Sequence, residues 1–354
     1  MTSQRYTVAV VGATGVVGGT MIRMLQERDF PVGSWRLLAS ARSAGRAVTI
    51  DGTEHTVAEA TPAAFEGVDI ALFSAGGDTS KALAPEAAAR GATVIDNSSA
   101  WRMDPGVPLV VSQVNPDDLA GHEGIIANPN CSTMQLVPLL MALRDGVGLE
   151  RVVVDTYQAV SGTGGKAITE LQGQVEAHVA GRQPEAAVYP HQIAFNALPQ
   201  VDVFLDNGYT KEEWKVVTES RKILHLPDLR ISSTAVRIPV FVAHSEAVHV
   251  ETVDPITPER ARTLFAAVPG VVVQDDPSTS TYPLATTAAG SDEVFVGRVR
   301  QDPSIEGGRG LAFWVVSDNL RKGAATNAVE LAEILLERGW IRAAATRDAA
   351  GSPA

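Results

Sequence analysis

Apolar residues in the first part of the chain come in short unbroken runs, separated by glycine-rich turns and stretches of helical spacing. Residues 6–11, Tyr-Thr-Val-Ala-Val-Val, form the first run, and Gly12-Ala-Thr-Gly-Val-Val-Gly18 follows directly. Met21, Ile22, Met24 and Leu25 then recur as on one face of a helix. Runs without polar alternation predict strands covered on both faces. Residues 35–40, 68–74 and 92–96 read as further strands. Asp78 or Thr79 is expected to cap the helix that runs to Gly91, and residues 124–127 form a strand leading to a helix near Cys131. Strand and helix in alternation predict a Rossmann-like, doubly wound, mainly parallel sheet.

Beyond about residue 145 the texture changes. Residues 151–160 predict a strand, 161–165 (Ser-Gly-Thr-Gly-Gly) a second glycine turn, and a helix continues to about Gly181. The Pro-rich segment 184–199 is irregular, and 210–224 is helical. Two β-rich segments, 234–253 and 293–316, flank a helix at 257–267, and a last helix covers 321–338. The expected division is α/β followed by α+β. Residues 1–130 form a nucleotide-binding domain, completed by the segment 319–340; residues 131–318 form a catalytic and dimerisation domain; residues 341–354 form a disordered tail.

Composition narrows the function. With 354 residues, 45% hydrophobic and 20% charged, the chain is globular and long enough for two domains. Its net charge of −12 argues against nucleic acid as a partner, and any small anionic ligand requires a local gathering of Arg and Lys. The opening Met-Thr-Ser-Gln-Arg-Tyr lacks a signal-peptide core, and the apolar run 136–143 is too short to span a membrane. A single cysteine fits a reducing compartment, so the expected location is the cytoplasm.

The first glycine turn stands at a strand–helix junction, where backbone N–H groups and the helix N-terminus suit a pyrophosphate. Its spacing, G-x-x-G-x-x-G, also fits a merely tight turn. An NAD site usually ends its second strand with an acid; here Ala39-Ser-Ala-Arg-Ser43 supplies a guanidinium and hydroxyls, which suit the 2′-phosphate of NADP. A solvated loop arginine is the other reading of Arg42. Cys131 in Asn128-Pro-Asn-Cys-Ser-Thr133 can form neither an intramolecular disulfide nor a thiolate cluster. It is either a small buried hydrophobe or a nucleophile favoured by a helix N-terminus. No metal site is expected.

Five motifs in order resemble the aspartate-β-semialdehyde dehydrogenase family: Gly12–Gly18 above, Asn97-Ser-Ser-Ala-Trp-Arg102, Asn128–Thr133, Gln158-Ala-Val-Ser-Gly-Thr-Gly164 and Glu219-Ser-Arg-Lys222, with Arg237-Ile-Pro-Val continuing to His244. The resemblance covers residues 6–340. It implies NADPH-dependent reduction of L-aspartyl 4-phosphate to L-aspartate 4-semialdehyde with release of phosphate, in lysine, threonine, methionine and diaminopimelate biosynthesis. Cys131 would form a thioester, and His244, seven residues after Arg237 as in the family, would be the general acid–base. Gln158 would orient the acyl group, and Asn130 would help place the thiolate or the carbonyl oxygen.

The same resemblance gives Arg102 and Lys222 to phosphate and Arg237 to the α-carboxylate, where a guanidinium offers a planar fork. Glu219 would meet the substrate ammonium; a surface ion pair with Lys222 is the commoner meaning of that spacing. Expected NADP contacts are Gly12, Thr14, Gly15, Val16, Val17, Gly18, Arg42, Ser43, Gly76, Ser161, Gly162 and Asn319. A homodimer or a dimer of dimers is implied. N-acetyl-γ-glutamyl-phosphate reductase is the nearest alternative, but it carries Tyr-Pro after its cysteine where this chain has Ser132-Thr133. Glyceraldehyde-3-phosphate dehydrogenase uses similar thioester chemistry, but its Ser-Cys-Thr-Thr-Asn signature is absent. A non-catalytic NADP-binding regulator on the same fold is the alternative from another class.

Overall fold

The computed structural model describes residues 4–341, so the expected tail, apart from Ile341, lies outside the described residues. It divides into two compact units. One takes the described residues up to Pro129 together with those from Ala324 onward, and the other is Asn130–Gly323.

In the first unit the strands are β1 (Tyr6–Val11), β2 (Val32–Ala39), β3 (Ala47–Ile50), β4 (Thr53–Thr56), β5 (Ala58–Glu59), β6 (Ile70–Phe73), β7 (Thr93–Asp96) and β8 (Ile125–Ala127), with helices α1 (Val16–Glu27) and α2 (Gly77–Ala89). Six of these strands form one sheet in the order β5-β2-β1-β6-β7-β8, every pair parallel. Successive side chains of a strand point to opposite faces. Accordingly Val8 and Val10 of β1, with Ile70 and Leu72 of β6, join one core cluster, whereas Ala9, Val11, Ala71 and Phe73 join another. That is why the central strands carry no polar alternation. β3 and β4 form a separate hairpin, which their exposed, mixed sequence did not announce.

The second unit contains α3 (Cys131–Val147), β9 (Leu149–Gln158), α4 (Gly165–Val179), α5 (Lys211–Ile223), β10 (Arg230–Arg237), β11 (His244–Thr252), α6 (Pro258–Ala266), β12 (Val271–Val273), α7 (Ala285–Ala288), β13 (Val294–Gln301) and β14 (Gly310–Ser317). Its sheet runs β10-β9-β11-β14-β13-β12 and is mixed: β10 and β9 are parallel, β9, β11, β14 and β13 antiparallel in turn, and β12 parallel to β13. The short β12 was not legible in the sequence. Thr210 and Glu213 close a reciprocal capping box at the start of α5, an arrangement worth about 1 kcal/mol. Glu213 also accepts from the Ala235 amide at 2.9 Å, tying α5 to β10.

Two local expectations need correction. Helix α2 starts at Gly77, with Gly76 at φ +85° as its N-cap and no side-chain cap, so neither Asp78 nor Thr79 caps it; Asp78 lies in the first turn. The last helical segment is not one α-helix either. Arg321–Thr326 is a π-turn, and α8 (Asn327–Glu337) continues from it. Ala328, Val329, Leu331, Ala332 and Leu335 of α8 pack with Val8, Val10 and Met21 of the first unit's core. The extra residue of the π-turn arises where Gly323 backs onto Cys131: a Cβ at Gly323 would lie 2.8 Å from the Cys131 Cβ. Such turns recur at functional sites.

Candidate active site

Within the first unit, β1 ends in a turn that only glycine tolerates at two places. Gly12 has φ +88°, and a Cβ there would stand 2.3 Å from the Ser74 carbonyl oxygen; at Gly18 it would stand 2.2 Å from the Gly12 oxygen. The chain can therefore pass close under β6 and enter α1 at Gly15, an N-cap without a side-chain bond and with no acid in the first turn. Beside it lies a cavity of about 580 Å³ lined by Gly12, Thr14, Gly15, Arg42, Ser43 and Glu59, among others. That is a nucleotide-sized space. Its wall holds five of the expected cofactor contacts; Val16, Val17 and Gly18 lie in the first turn of α1, and Gly76 is the N-cap of α2. The glycine turn, the uncapped helix N-terminus and the guanidinium of Arg42 fit a dinucleotide phosphate. Glu59 escaped the sequence reading because it comes from the edge strand β5 and not from the end of β2.

Arg102 belongs to this unit as well. It is buried, and its guanidinium donates to the carbonyls of Asn128 at 3.0 Å and Asn97 at 2.7 Å. Those bonds hold a cation against the ends of β7 and β8.

The second unit gathers the remaining candidates. Cys131 is the first residue of α3 and is only partly buried. Asn130 caps that helix, its Oδ1 accepting from the amides of Ser132 at 2.9 Å and Thr133 at 3.4 Å. Asn130 is in turn fixed by α5: its backbone N–H donates to Glu219 at 2.7 Å and its Nδ2 to Glu212 at 2.8 Å. Glu219 is buried, which removes the reading as a surface ion pair; Lys222 lies one turn further along α5 and is half-buried. Gln158, at the end of β9, donates to Ser132 Oγ at 3.0 Å and Glu212 at 3.2 Å, which places its amide beside the nucleophile's neighbour.

Glu212 is the residue that sequence reasoning missed. Burial alone would raise its pKa, but Lys215 at 3.0 Å, the Asn130 hydrogen bond and Arg237 outweigh that and hold it down to about 2. A signal did exist: Glu212, Lys215, Glu219 and Lys222 follow each other at helical spacing along one stripe of α5.

Arg237 ends β10 and His244 begins β11. Arg237 Nη1 donates to the Ala159 carbonyl at 2.7 Å, while the Ala159 amide donates to His244 Nδ1 at 3.0 Å. One residue thus fixes both side chains. A backbone N–H can only donate, so His244 Nδ1 is the acceptor and the neutral ring carries its proton on Nε2. Burial and the neighbouring Arg237 lower its pKa to about 3, against a smaller opposing effect of Glu212. With that pKa the ring is neutral at working pH. Its Nε2 and the Arg237 Nε are buried with no hydrogen-bond partner, and buried donors left so are costly unless a ligand meets them.

Gly162 closes this corner. The turn Val160–Thr163 is held by bonds from Val160 N to Val240 O (2.8 Å) and Ser161 N to Phe241 O (3.1 Å). A Cβ on Gly162 would sit 3.0 Å from Arg237 Nη1 and 3.2 Å from His244 Nε2. A side chain there would crowd both groups, so a glycine is what lets the turn lie this close to the guanidinium and the imidazole. Ser161 Oγ donates to Asn319 Oδ1 at 3.0 Å, and the same oxygen accepts from the Ala243 amide at 3.0 Å. In this unit Asn319 and Ser161 thereby brace the peptide preceding His244.

Comparison with known proteins agrees with both units. Residues 7–122 match the family described as semialdehyde dehydrogenase, NAD binding domain, and residues 140–322 match semialdehyde dehydrogenase, dimerisation domain. Aspartate-semialdehyde dehydrogenase of Aquifex aeolicus is 55% identical over 340 residues, covering 95% of this chain and 99% of that protein. The Bacillus subtilis protein of the same name is 53% identical, with 93% and 96% covered. Aspartate semialdehyde dehydrogenase II from Vibrio cholerae, solved in complex with ASA, superposes with a TM-score of 0.91 at 47% identity, over 95% of this chain and 99% of that one. A nucleotide cradle in one unit, a lone cysteine heading a helix in the other, and near-complete alignment with these proteins lead to one conclusion: the chain belongs to the aspartate-semialdehyde dehydrogenase family.

Proposed function

We propose that the chain reduces L-aspartyl 4-phosphate to L-aspartate 4-semialdehyde and phosphate, with NADPH as reductant and a thioester on Cys131 as intermediate. The observation that carries this reading is that Arg237 Nε and His244 Nε2 are both buried without a hydrogen-bond partner, in the unit whose helix α3 starts with the only cysteine. The sulfur attacks the acyl carbon, the carbon–oxygen bond to phosphate breaks, and phosphate leaves. Asn130 holds the first turn of α3 in place for that attack, and Gln158 orients the acyl group. When bound, the nicotinamide supplies the hydride.

His244 acts here as a neutral donor. Its Nε2–H stabilises the oxygen that becomes negative when the thioester carbon turns tetrahedral. Collapse of that oxyanion expels the Cys131 thiolate and needs no proton from the ring. Arg237 takes the α-carboxylate, Glu219 the ammonium, and Lys222 with Arg102 the phosphate. Gly12, Thr14, Gly15, Val16, Val17, Gly18 and Gly76 hold the pyrophosphate region of the cofactor, Arg42 and Ser43 its 2′-phosphate, and Ser161, Gly162 and Asn319 its nicotinamide end.

The large exposed apolar residues favour a homodimer or a dimer of dimers built through the second unit. Apart from Met103, all of those identified among the described residues, including Phe204, Phe241, Tyr282 and Leu284, belong to that unit. No helix among the described residues is long and apolar enough to cross a membrane; the biosynthetic chemistry and the single cysteine favour the cytoplasm.

The test is NADPH formation from aspartate semialdehyde, NADP and phosphate, read by absorbance. Cys131→Ala should abolish turnover while leaving NADP affinity within about twofold, and Cys131→Ser should retain little. Near-normal turnover in either variant removes the thioester mechanism.

A further inference from the structure

One buried ionisable group has no part in the chemistry above. Glu246 stands on β11 two residues after His244, on the same face of the strand, and is fully buried. Both of its carboxyl oxygens lack a hydrogen-bond partner of good geometry. Across the sheet it is paired with Thr156 of β9 and Val315 of β14. The only polar side chain that perturbs it is Gln135, whose Nε2 is also buried without a hydrogen-bond partner. Gln135 lies on α3 one helical turn after Cys131.

None of the facing positions offers a countercharge. On β9 they are Val154, Thr156 and Gln158; on β14, Phe313, Val315 and Ser317; on α3, Gln135. The nearest titratable group on its own strand face is His244, which is neutral for the reasons given above. A carboxylate in such surroundings is strongly disfavoured relative to the acid. Burial raises the Glu246 pKa to about 8, the Gln135 contact opposing it.

The placement is specific. The helix whose first residue is Cys131 and the strand whose first residue is His244 meet at the Gln135–Glu246 contact. We propose that Glu246 is a positioning residue: as an uncharged acid it lets the nucleophile's helix pack on the histidine's strand, and its ionisation, which would leave a buried charge without a countercharge between them, disturbs that packing and lowers turnover. This inference rests on the reading of Cys131 and His244 under Proposed function.

The experiment is the pH profile of kcat, from pH 6 to 10, for wild type, Glu246→Gln and Gln135→Leu, each confirmed as folded by circular dichroism and gel filtration. Glutamine keeps the shape and cannot ionise. At pH 7 Glu246→Gln should turn over within about threefold of wild type, and its rate relative to wild type should rise at least fivefold between pH 7 and 9.5, because the wild-type break near pH 8 is missing. Gln135→Leu removes the contact that favours the ionised form, so its break should move to higher pH.

A constant Glu246→Gln to wild-type ratio across the range overturns the proposal. If that variant is not recovered folded, Gln135→Leu decides, and an unmoved break overturns it equally. Absence of turnover by wild type at every pH would instead defeat the proposed reaction, so the two failures are distinguishable.

Discussion

Replacing Gly162 by Ala tests the corner formed by Arg237 and His244 with one methyl group. Gly162 is not among the residues of positive φ, so alanine meets no backbone penalty there. Its stability effect is the sum of two opposing parts: about 0.4–1 kcal/mol gained from a less flexible unfolded chain, and about 1–3 kcal/mol lost to crowding. The fold should survive. The new methyl, 3.0 Å from Arg237 Nη1 and 3.2 Å from His244 Nε2, would press on both side chains and push them off their positions.

Moving both side chains off their substrate oxygens loses one charge-assisted bond of roughly 1.5–3 kcal/mol and one neutral bond of roughly 0.5–1.5 kcal/mol. The expected loss of about 2–4 kcal/mol corresponds to a fall in kcat/KM of roughly thirtyfold to a thousandfold. The assay is steady-state oxidation of aspartate semialdehyde, with thermal unfolding and NADP binding measured alongside to show an intact protein. A folded Gly162→Ala enzyme with kcat/KM within threefold of wild type would refute the reasoning, since the placement of these two donors would then not govern turnover.

Arg42→Ala should raise the Michaelis constant for NADPH much more than that for NADH, and equal effects on the two would place Arg42 elsewhere than on the 2′-phosphate. Arg237→Lys keeps the charge but loses the planar fork, and Lys222→Ala removes a phosphate contact. The first should impair use of the semialdehyde and the second the response to phosphate, each by about one to two decades; identical patterns in the two Michaelis constants would break the assignment. Glu246 also makes stability depend on pH. Its folded pKa of about 8 lies above the ordinary carboxyl value of 4.5, so the folded state holds the extra proton and the penalty is absent below pH 4.5. Stability relative to Glu246→Gln should fall as pH rises from 4.5 to 8, levelling off at a deficit of up to about 5 kcal/mol. Urea midpoints of the two proteins at pH 5 and 9 measure it, and a pH-independent difference would mean that Glu246 titrates normally.

The alternation of buried strands and helices in the first unit was legible because a parallel sheet covered on both faces needs continuous apolar runs, as residues 8–11 and 70–73 show. The glycine turn was legible for a similar reason: the Gly12 and Gly18 positions leave no room for any side chain. Local pattern failed where the deciding contact was distant. The uncapped N-terminus at Gly76 looks like any Gly-Gly-Asp-Thr sequence, and the π-turn at Arg321–Thr326 is set by the approach of Gly323 to Cys131, nearly two hundred positions earlier in the chain.

The site divides in the same way. Residue types and order are properties of the sequence, and they sufficed to name Cys131, Gln158, Arg237 and His244 as candidates. The protonation of His244 is not a local property. It follows from the Ala159 amide on Nδ1 and from burial beside Arg237. The same holds for the charge of Glu212 and Glu246, two buried acids whose protonation no sequence pattern reveals. One is held ionised at a pKa of about 2 by Lys215 and Asn130, and the other is held neutral up to about 8 by surroundings without a countercharge. Sequence determined which groups are present. Tertiary structure decided their charge, because desolvation and partner geometry exist only once distant segments have packed together.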